Sequence, residues 1–331
     1  TIVASLQRFA TGELAVGQRL PLNCGPSIAM DAVDSSTPTP NWRTRLALTF
    51  YRLAPGVRLP ASWWVPDMKK AQAESPEVRD PLEVEVVSHC WNYSHMLAYQ
   101  LSSVVTNPPS KVKLIMTVCY CPEDKGTVDL LEFFAGKTVP NVAWNWQSMP
   151  RAELMRRAIG RHRAATTSTA DWVWFTDCDL LFHAGCLDGL APALVGRTEA
   201  LVFPQEERCT SMLAADDAML TAATARPKLV EIDPQRFEIQ RPKKATGPLQ
   251  IVRGDLARKF GYCGAIRCYQ TPTDVWRKTY EDRAFRWLLG THGTPIDVPG
   301  VYRIKHIEKG RYHGSKLMSR MRSEIRQAKA R

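Results

Sequence analysis

The chain has 331 residues, 44% of them hydrophobic and 23% charged, with a net charge of +11. That length supports one large domain or two ordinary ones around a sizeable core. The composition reads as globular, without a low-complexity tract or a repeat at solenoid period. No window approaches the roughly eighteen apolar residues of a membrane span, and the opening TIVASLQRFATGELAVGQRL lacks the charged-then-apolar build of a signal peptide.

Nine scattered cysteines, an odd count in a chain this long, read as free thiols in a reducing compartment rather than as a disulfide framework. Cys119 and Cys121 form a C-x-C with no second pair at zinc-site spacing. A cytoplasmic location is expected. The charge is uneven: Lys305 to Arg331 holds nine basic residues against two Glu, whereas residues 1–80 hold nine basic against seven acidic. Such a tail attracts nucleic acid, anionic lipid or an anionic substrate, or is simply a solvated helix end.

In chain order, residues 1–80 form an N-terminal extension, rich in proline and weak in periodicity. Its segment NWRTRLALTFYRLAPGVRLPASWW mixes Arg with aromatics and Leu. That mixture suits a membrane surface or a wrap around the main domain, and the wrap is preferred. From Leu82 the pattern alternates. LEVEVVSH reads as a strand, SHMLAYQLSSVV as a helix, KVKLIMTVCY as a strand, TVDLLEFFAG as a short helix and VPNVAWNW as a strand. RAELMRRAIGRHRAA reads as one helix, with His162 on its apolar stripe as a packed edge residue, and DWVWFT as a fourth strand. Further on, ALVFP is a strand, MLAADDAMLTAATA a helix, PLQIVRGDLARKF a strand entering a helix, TYEDRAFRWLLGTHG a helix and VYRIKHI a strand. Trp144, Trp146, Trp172 and Trp174 are expected mostly in the core. Strand–helix alternation implies an α/β fold with a mostly parallel sheet flanked by helices. Ligands of such sheets sit outside the carboxyl ends of the strands, where His89–Tyr93, Tyr120–Asp124, Asp177 and Asp179 fall.

Two carboxylates two apart at a strand end reach one hard cation, and Mg²⁺ or Mn²⁺ then keeps positions open for phosphate oxygens. This suits a diphosphate leaving group, whose developing charge needs a fixed positive partner. D-x-D alone is common, and two solvated loop acids are its ordinary meaning. The apolar strand before it and the α/β context separate this pair from that case.

The ordered set resembles the GT-A glycosyltransferases, most closely family 2-like members. VEVVSHCWNYSHMLAYQLSSVV is similar to their opening strand, nucleotide-binding turn and helix. IGRHRAATTSTADWVWFTDCDLLF is similar to their arginine-bearing helix and D-x-D strand, and ATGPLQIVRGDLARKFG to their glycine-bearing acceptor loop. YEDRAFRWLLGTHG resembles the helix that carries the catalytic base, and YRIKHIEKGRYHG the late histidine segment. The resemblance covers about residues 82–314. It implies a GT-A fold (Rossmann-like) over residues 81–314, with the extension before it and a basic tail over 315–331.

The resemblance also implies roles. Asp177 would lie near ribose and metal, Asp179 would ligate the metal, and His306 would complete the set as a neutral imidazole. Asp282 would be the general base toward an acceptor hydroxyl, with Glu281 fixing its geometry. Arg161 would face the nucleotide, Ser88, Cys90 and Tyr93 would line the base pocket, and Gly247 would allow close approach to sugar or acceptor. The partners implied are a nucleotide-sugar donor and a glycan, lipid-linked or small-molecule acceptor, with peripheral contact to anionic membrane at the inner face through the tail. No specific nucleic acid is expected. Surface glycan or glycoconjugate biosynthesis, with inversion, is the expected setting.

The chain departs from the family in carrying His162 after the helix Arg where Asn is usual. It also has Cys119, Tyr120 and Cys121 where acids usually end the second strand, with Glu123 and Asp124 slightly later. His292 and His313 rival His306, Asp216 and Asp217 rival Asp282, and Glu281–Asp282 could be only a helix N-terminal acid pair. Three other functions compete. A nucleotidyltransferase making a sugar nucleotide would want a glycine-rich basic loop that SHCWNYSH lacks. A nucleic-acid or anionic-surface binder would use the tail and leave the ordered acids unexplained. A catalytically dead scaffold would share the fold.

Overall fold

The computed structural model describes residues 42–56, 59–75, 79–214, 216–222, 226–274 and 280–306. The basic tail and His313 lie outside them. The extension contributes α1 (Trp42–Leu53) and α2 (Met68–Ala73). The alternating half follows as β1 (Leu82–Cys90), α3 (Ser94–Thr106), β2 (Val112–Tyr120), α4 (Lys125–Ala135) and β3 (Val142–Ser148). Then come α5 (Arg151–Leu154), α6 (Arg157–Thr167), β4 (Trp172–Phe175), β5 (Leu180–Phe182) and α7 (Cys186–Leu194). The remainder is β6 (Leu201–Pro204), β7 (Glu207–Thr210), α8 (Ala218–Thr221), β8 (Phe237–Gln240), β9 (Gln250–Arg253), α9 (Gly254–Phe260), α10 (Glu281–Leu288), β10 (Thr294–Ile296) and β11 (Val301–Arg303).

Seven strands form the main sheet in the order β10-β6-β9-β4-β1-β2-β3, and only β9 runs against its neighbours. This is the mostly parallel, helix-flanked α/β sheet that the strand–helix alternation implied. Its centre reads as near-continuous apolar runs because both faces are covered: Val84, Val86 and Val87 of β1 and all of WVWF in β4 are buried. Burying each such side chain contributes about 1.5–3 kcal/mol before chain entropy is counted. β5, β11, β7 and β8 make a second, smaller sheet beside the end of β4.

Three readings change. RAELMRRAIGRHRAA is two helices, α5 and α6, broken at Met155–Arg156. Within the helix expected over 212–225 the described residues show α8 beginning only at Ala218, because Asp217 turns its carboxylate back onto the Met219 N–H and so starts the helix rather than sitting inside it. DWVWFT and LLF are strands of different sheets, and the acidic pair lies in the turn between them. β7 and β8, four residues each, went unread in the sequence.

The described part of the extension packs on the main body. Trp64 meets Trp287 edge-on at 4.9 Å, and the Trp287 indole N–H donates to Leu59 O at 2.8 Å. Fully buried Arg253 holds Asp255 and donates to the carbonyls of Ala71 (2.7 Å) and Thr198 (2.6 Å). A buried guanidinium needs such a full set of acceptors to offset its lost hydration.

Candidate active site

The acidic turn is built before it is chemical. Thr176 N–H still pairs with Val87 O at 3.0 Å, and Leu180 N–H closes back on Asp177 O at 3.1 Å. Three side chains hold the loop so formed. Gln100, on the buried face of α3, donates to Asp177 O (3.0 Å) and Leu180 O (2.8 Å) while accepting from Ser88 Oγ at 2.6 Å. Arg161 donates to Thr176 O at 3.0 Å and to the Tyr262 hydroxyl at 3.0 Å. Cys178 turns inward and donates its thiol to His89 O at 3.0 Å.

Two expectations are corrected here. Ser88 does not line a base pocket, because its hydroxyl is buried against Gln100. Arg161 does not face an open nucleotide site, because its guanidinium is buried between the rings of Phe175 and Tyr262. Both residues support the turn from behind.

In front of the turn lies a cleft that opens to solvent, lined by His89, Cys90, Trp91, Tyr93, Leu154, Met155, Arg157, Asp177, Cys178 and Asp179. It sits outside the carboxyl ends of β1 and β4, where ligands of such sheets bind. Cys90, Tyr93, Asp177 and Asp179 are thus brought together at one cleft. Asp177 keeps 23% of its side chain exposed. One oxygen of it takes both Arg157 at 2.5 Å and Arg161 at 3.4 Å. Arg157 and Arg161 are one helical turn apart, which is why both reach the same oxygen.

Burial alone would pull the Arg157 guanidinium down; Asp177, then Glu281, Tyr262 and Asp282, more than offset this and hold it above the ordinary arginine value. Arg157 therefore stands in the field of both acid pairs. His89 is pushed the other way: burial, then the charges of Arg161 and Arg157, hold its pKa well below the usual range, so the ring is neutral. Its Nε2 abuts α6 at Gly160, where an added Cβ would lie 2.2 Å from it. Only glycine permits that approach.

The second acid pair opens α10. Tyr280 precedes it in the left-handed region (φ 60°), which turns the chain into the helix. Glu281 is buried, while Asp282 keeps 31% of its side chain exposed and pairs with Arg286 at 3.2 Å, one turn on. Gln250 at the start of β9 donates to Asp282 O at 3.1 Å, and a Cβ on Gly247 would come within 3.9 Å of the Asp282 Cβ. The glycine-bearing loop and the acid pair are therefore neighbours, although neither lines the cleft. Like Asp282, His306 lies outside the lining. Ile304 N–H donates to Asp179 O at 2.9 Å, which runs the end of β11 alongside the acidic turn, and the buried His306 Nε2 then meets the Tyr93 hydroxyl.

Two carboxylates and an imidazole suit a hard divalent cation in kind. They do not suit it in spacing: among the described residues no three His, Cys, Asp or Glu side chains are gathered closely enough to hold a metal. Asp177 is turned to its arginines and His306 to Tyr93.

The rivals are placed elsewhere. Asp217 caps α8 and pairs with Arg236 at 2.6 Å, and Asp216 is exposed. His292 is exposed, its carbonyl accepting from Ala245 N–H at 2.9 Å. His162 packs its ring over Gly261 and Gly264, with burial lowering its pKa, and is a packing residue as expected. Arg157 and Gln100 went unread, and Asp124 was read by its place at a strand end but not as a cap. Arg157 was one helical turn from the arginine chosen. Gln100 was a polar residue on the apolar stripe of α3. Asp124 caps α4 and accepts from the Asn92 N–H at 2.6 Å, fixing the loop after β1 from the end of β2; its sequence signal was D-x-x-T ahead of an apolar run.

The sequence matches no protein-family model and no curated protein. Solved structures give distant likenesses. S. aureus TarS 1–349 is 14% identical, with 68% of this chain and 58% of that chain covered at a TM-score of 0.37. The same protein in complex with UDP-GlcNAc is 12% identical, with 70% and 61% covered at 0.41. The mannosyltransferase PcManGT from Pyrobaculum calidifontis, in complex with GDP-Man and Mn²⁺, is 18% identical, with 87% and 75% covered at 0.41. The chain thus spans about three-fifths of the TarS structures it matches.

Proposed function

We propose that the protein is a glycosyltransferase that moves a sugar from a nucleotide-diphosphate donor to an acceptor hydroxyl. The observation that carries this reading is Arg157, a cleft-lining cation held in the joint field of the acidic turn and the Glu281–Asp282 pair. A diphosphate in the cleft would meet that guanidinium, while the sugar would extend toward α10. There Asp282, partly exposed beside the Gly247 loop, is the group able to take the acceptor proton as the hydroxyl attacks. Attack from the Asp282 side, opposite the diphosphate, would invert the anomeric centre. Glu281, buried under it, positions the helix start.

With His306 turned to Tyr93, only Asp177 and Asp179 of the expected ligands stand at the cleft, so Mn²⁺ or Mg²⁺ would need the donor's own diphosphate oxygens as further ligands and would supply charge to that leaving group.

Asp282→Asn tests the reading. Expected is a loss of transfer by at least about a hundredfold, the scale of a general base, with donor binding by calorimetry largely retained. Normal turnover would refute the base. Absence of transfer or hydrolysis across a panel of nucleotide sugars in the unmutated protein would refute the function.

A further inference from the structure

One face of the extension remains unexplained by its packing. α1 presents Ala47, Leu48 and Tyr51 to the core. Yet it also carries Leu46, Phe50 and Leu53, exposed by 60, 42 and 58%. Spacings of four and three place these three on a single stripe. Trp63, in the turn that follows, is 72% exposed and stacks on Trp64 at 6.3 Å between ring centres. Four large apolar groups on one short segment form a patch, not the scattered single exposures of an ordinary surface.

The surrounding charge identifies the occupant. Residues 41–66 contain Arg43, Arg45, Arg52 and Arg58 and no Asp or Glu; through residue 75 the count is six basic against two acidic. Lys69 and Lys70 are exposed on α2. A second copy of the chain would bring this positive segment against itself. A nucleic acid would match the charge but leave the aliphatic stripe facing phosphate. A layer of anionic headgroups over acyl chains satisfies both: arginines and lysines meet the headgroups, while Leu, Phe and Trp enter the boundary.

We infer that the outer stripe of α1, with Trp63, is an interfacial surface that docks the protein on an anionic lipid layer. The surface is tied to the start of α10. Arg52 lies over the Tyr280 ring at 4.8 Å, and Tyr280 directly precedes Glu281. Docking therefore brings the start of α10 close to the headgroups. This inference is independent of the glycosyl-transfer reading, since it concerns binding without donor or turnover.

The test is flotation of the full chain with vesicles of phosphatidylcholine alone and of phosphatidylcholine with roughly a third phosphatidylglycerol. The basic tail attracts anionic vesicles in every variant, so the comparison is between chains at fixed salt. Leu46→Glu/Leu53→Glu should weaken binding to the anionic vesicles at least about tenfold, since two apolar insertions are lost and two repulsive charges gained. Trp63→Ser, which carries no new charge, should weaken it by a smaller factor, and an unchanged melting temperature in each variant shows that the fold survives. Equal flotation of the unmutated and doubly substituted chains would overturn the inference. So would a self-associated protein, by light scattering, that the double substitution makes monomeric.

Discussion

Gln100→Leu is the substitution that most directly tests how the acidic turn is held. Leucine keeps nearly the same volume but removes three hydrogen bonds: to Ser88 at 2.6 Å, to Asp177 O at 3.0 Å and to Leu180 O at 2.8 Å. Asp177 O retains the Leu180 N–H, so its loss is at the low end, about 0.5–1 kcal/mol. The Ser88 hydroxyl is buried and loses its acceptor, and Leu180 O loses a donor in a buried setting; each costs about 1–3 kcal/mol. The bonds share one side chain and do not add fully, which puts the total near 3 kcal/mol. At about 2–4 °C per kcal/mol for a domain of this size, the melting temperature should fall by roughly 6–12 °C. Donor-nucleotide affinity should fall with it, because Asp177 and Asp179 lose their backing. Calorimetry reads both. Gln100→Glu sharpens the test, since a carboxylate of the same shape has no N–H for the two carbonyls and should cost at least as much. A melting temperature within about 2 °C of the unmutated protein in both variants would refute this account of the turn.

Other outcomes follow from the same geometry. Arg157→Gln should raise the donor Kd about tenfold or more while leaving the fold intact; titration calorimetry showing unchanged affinity would remove Arg157 from the diphosphate. His89 carries a pH prediction: its folded pKa lies well below the ordinary 6.5, so below pH 6.5 the unfolded chain binds the extra proton. Stability is then full above that pH and lost as pH falls below it, by about 1.4 kcal/mol per pH unit until the folded pKa is reached. His89→Asn should flatten that part of the melting-temperature profile, and an unchanged slope between pH 6.5 and about 5.5 would contradict the assignment. Mn²⁺ should tighten donor binding in the unmutated protein and not in Asp179→Ala; equal enhancement in both would move the cation off the acidic turn.

The sequence made the sheet legible at its centre, where β1 and β2 are dominated by buried aliphatic residues and β4 is apolar throughout. Asp177 and Asp179 stood out as charge at the end of such a run, whereas Glu281 and Asp282, which open a helix, were singled out only through the resemblance. The short strands β7 and β8 escaped because four residues are too few for a period of two to show. The break between α5 and α6 escaped because RAELMRRAIG offers neither a proline nor a cap at the point where it occurs.

Depth was the harder quantity. Arg157 and Arg161 share a helix face and a partner, and nothing in their residue type says which is in front of the turn and which behind. The ring of Tyr262, a hundred and one residues further on, decides it by closing over Arg161. Gln100 shows the same limit from the other side. A glutamine on an apolar stripe, between Met96, Leu97, Leu101 and Val104, announces that something buried must be hydrogen-bonded. It does not say to what. Two of its partners lie seventy-seven and eighty residues away and are main-chain carbonyls, which carry no residue identity at all. The acids proposed to contact substrate were therefore legible as chemistry, Arg157 beside them was not, and the side chains that hold the turn were legible only as unmet demands. A buried polar residue on an otherwise apolar helix face is thus best read as pointing to a turn elsewhere that needs holding. In this chain that turn is the one bearing Asp177 and Asp179.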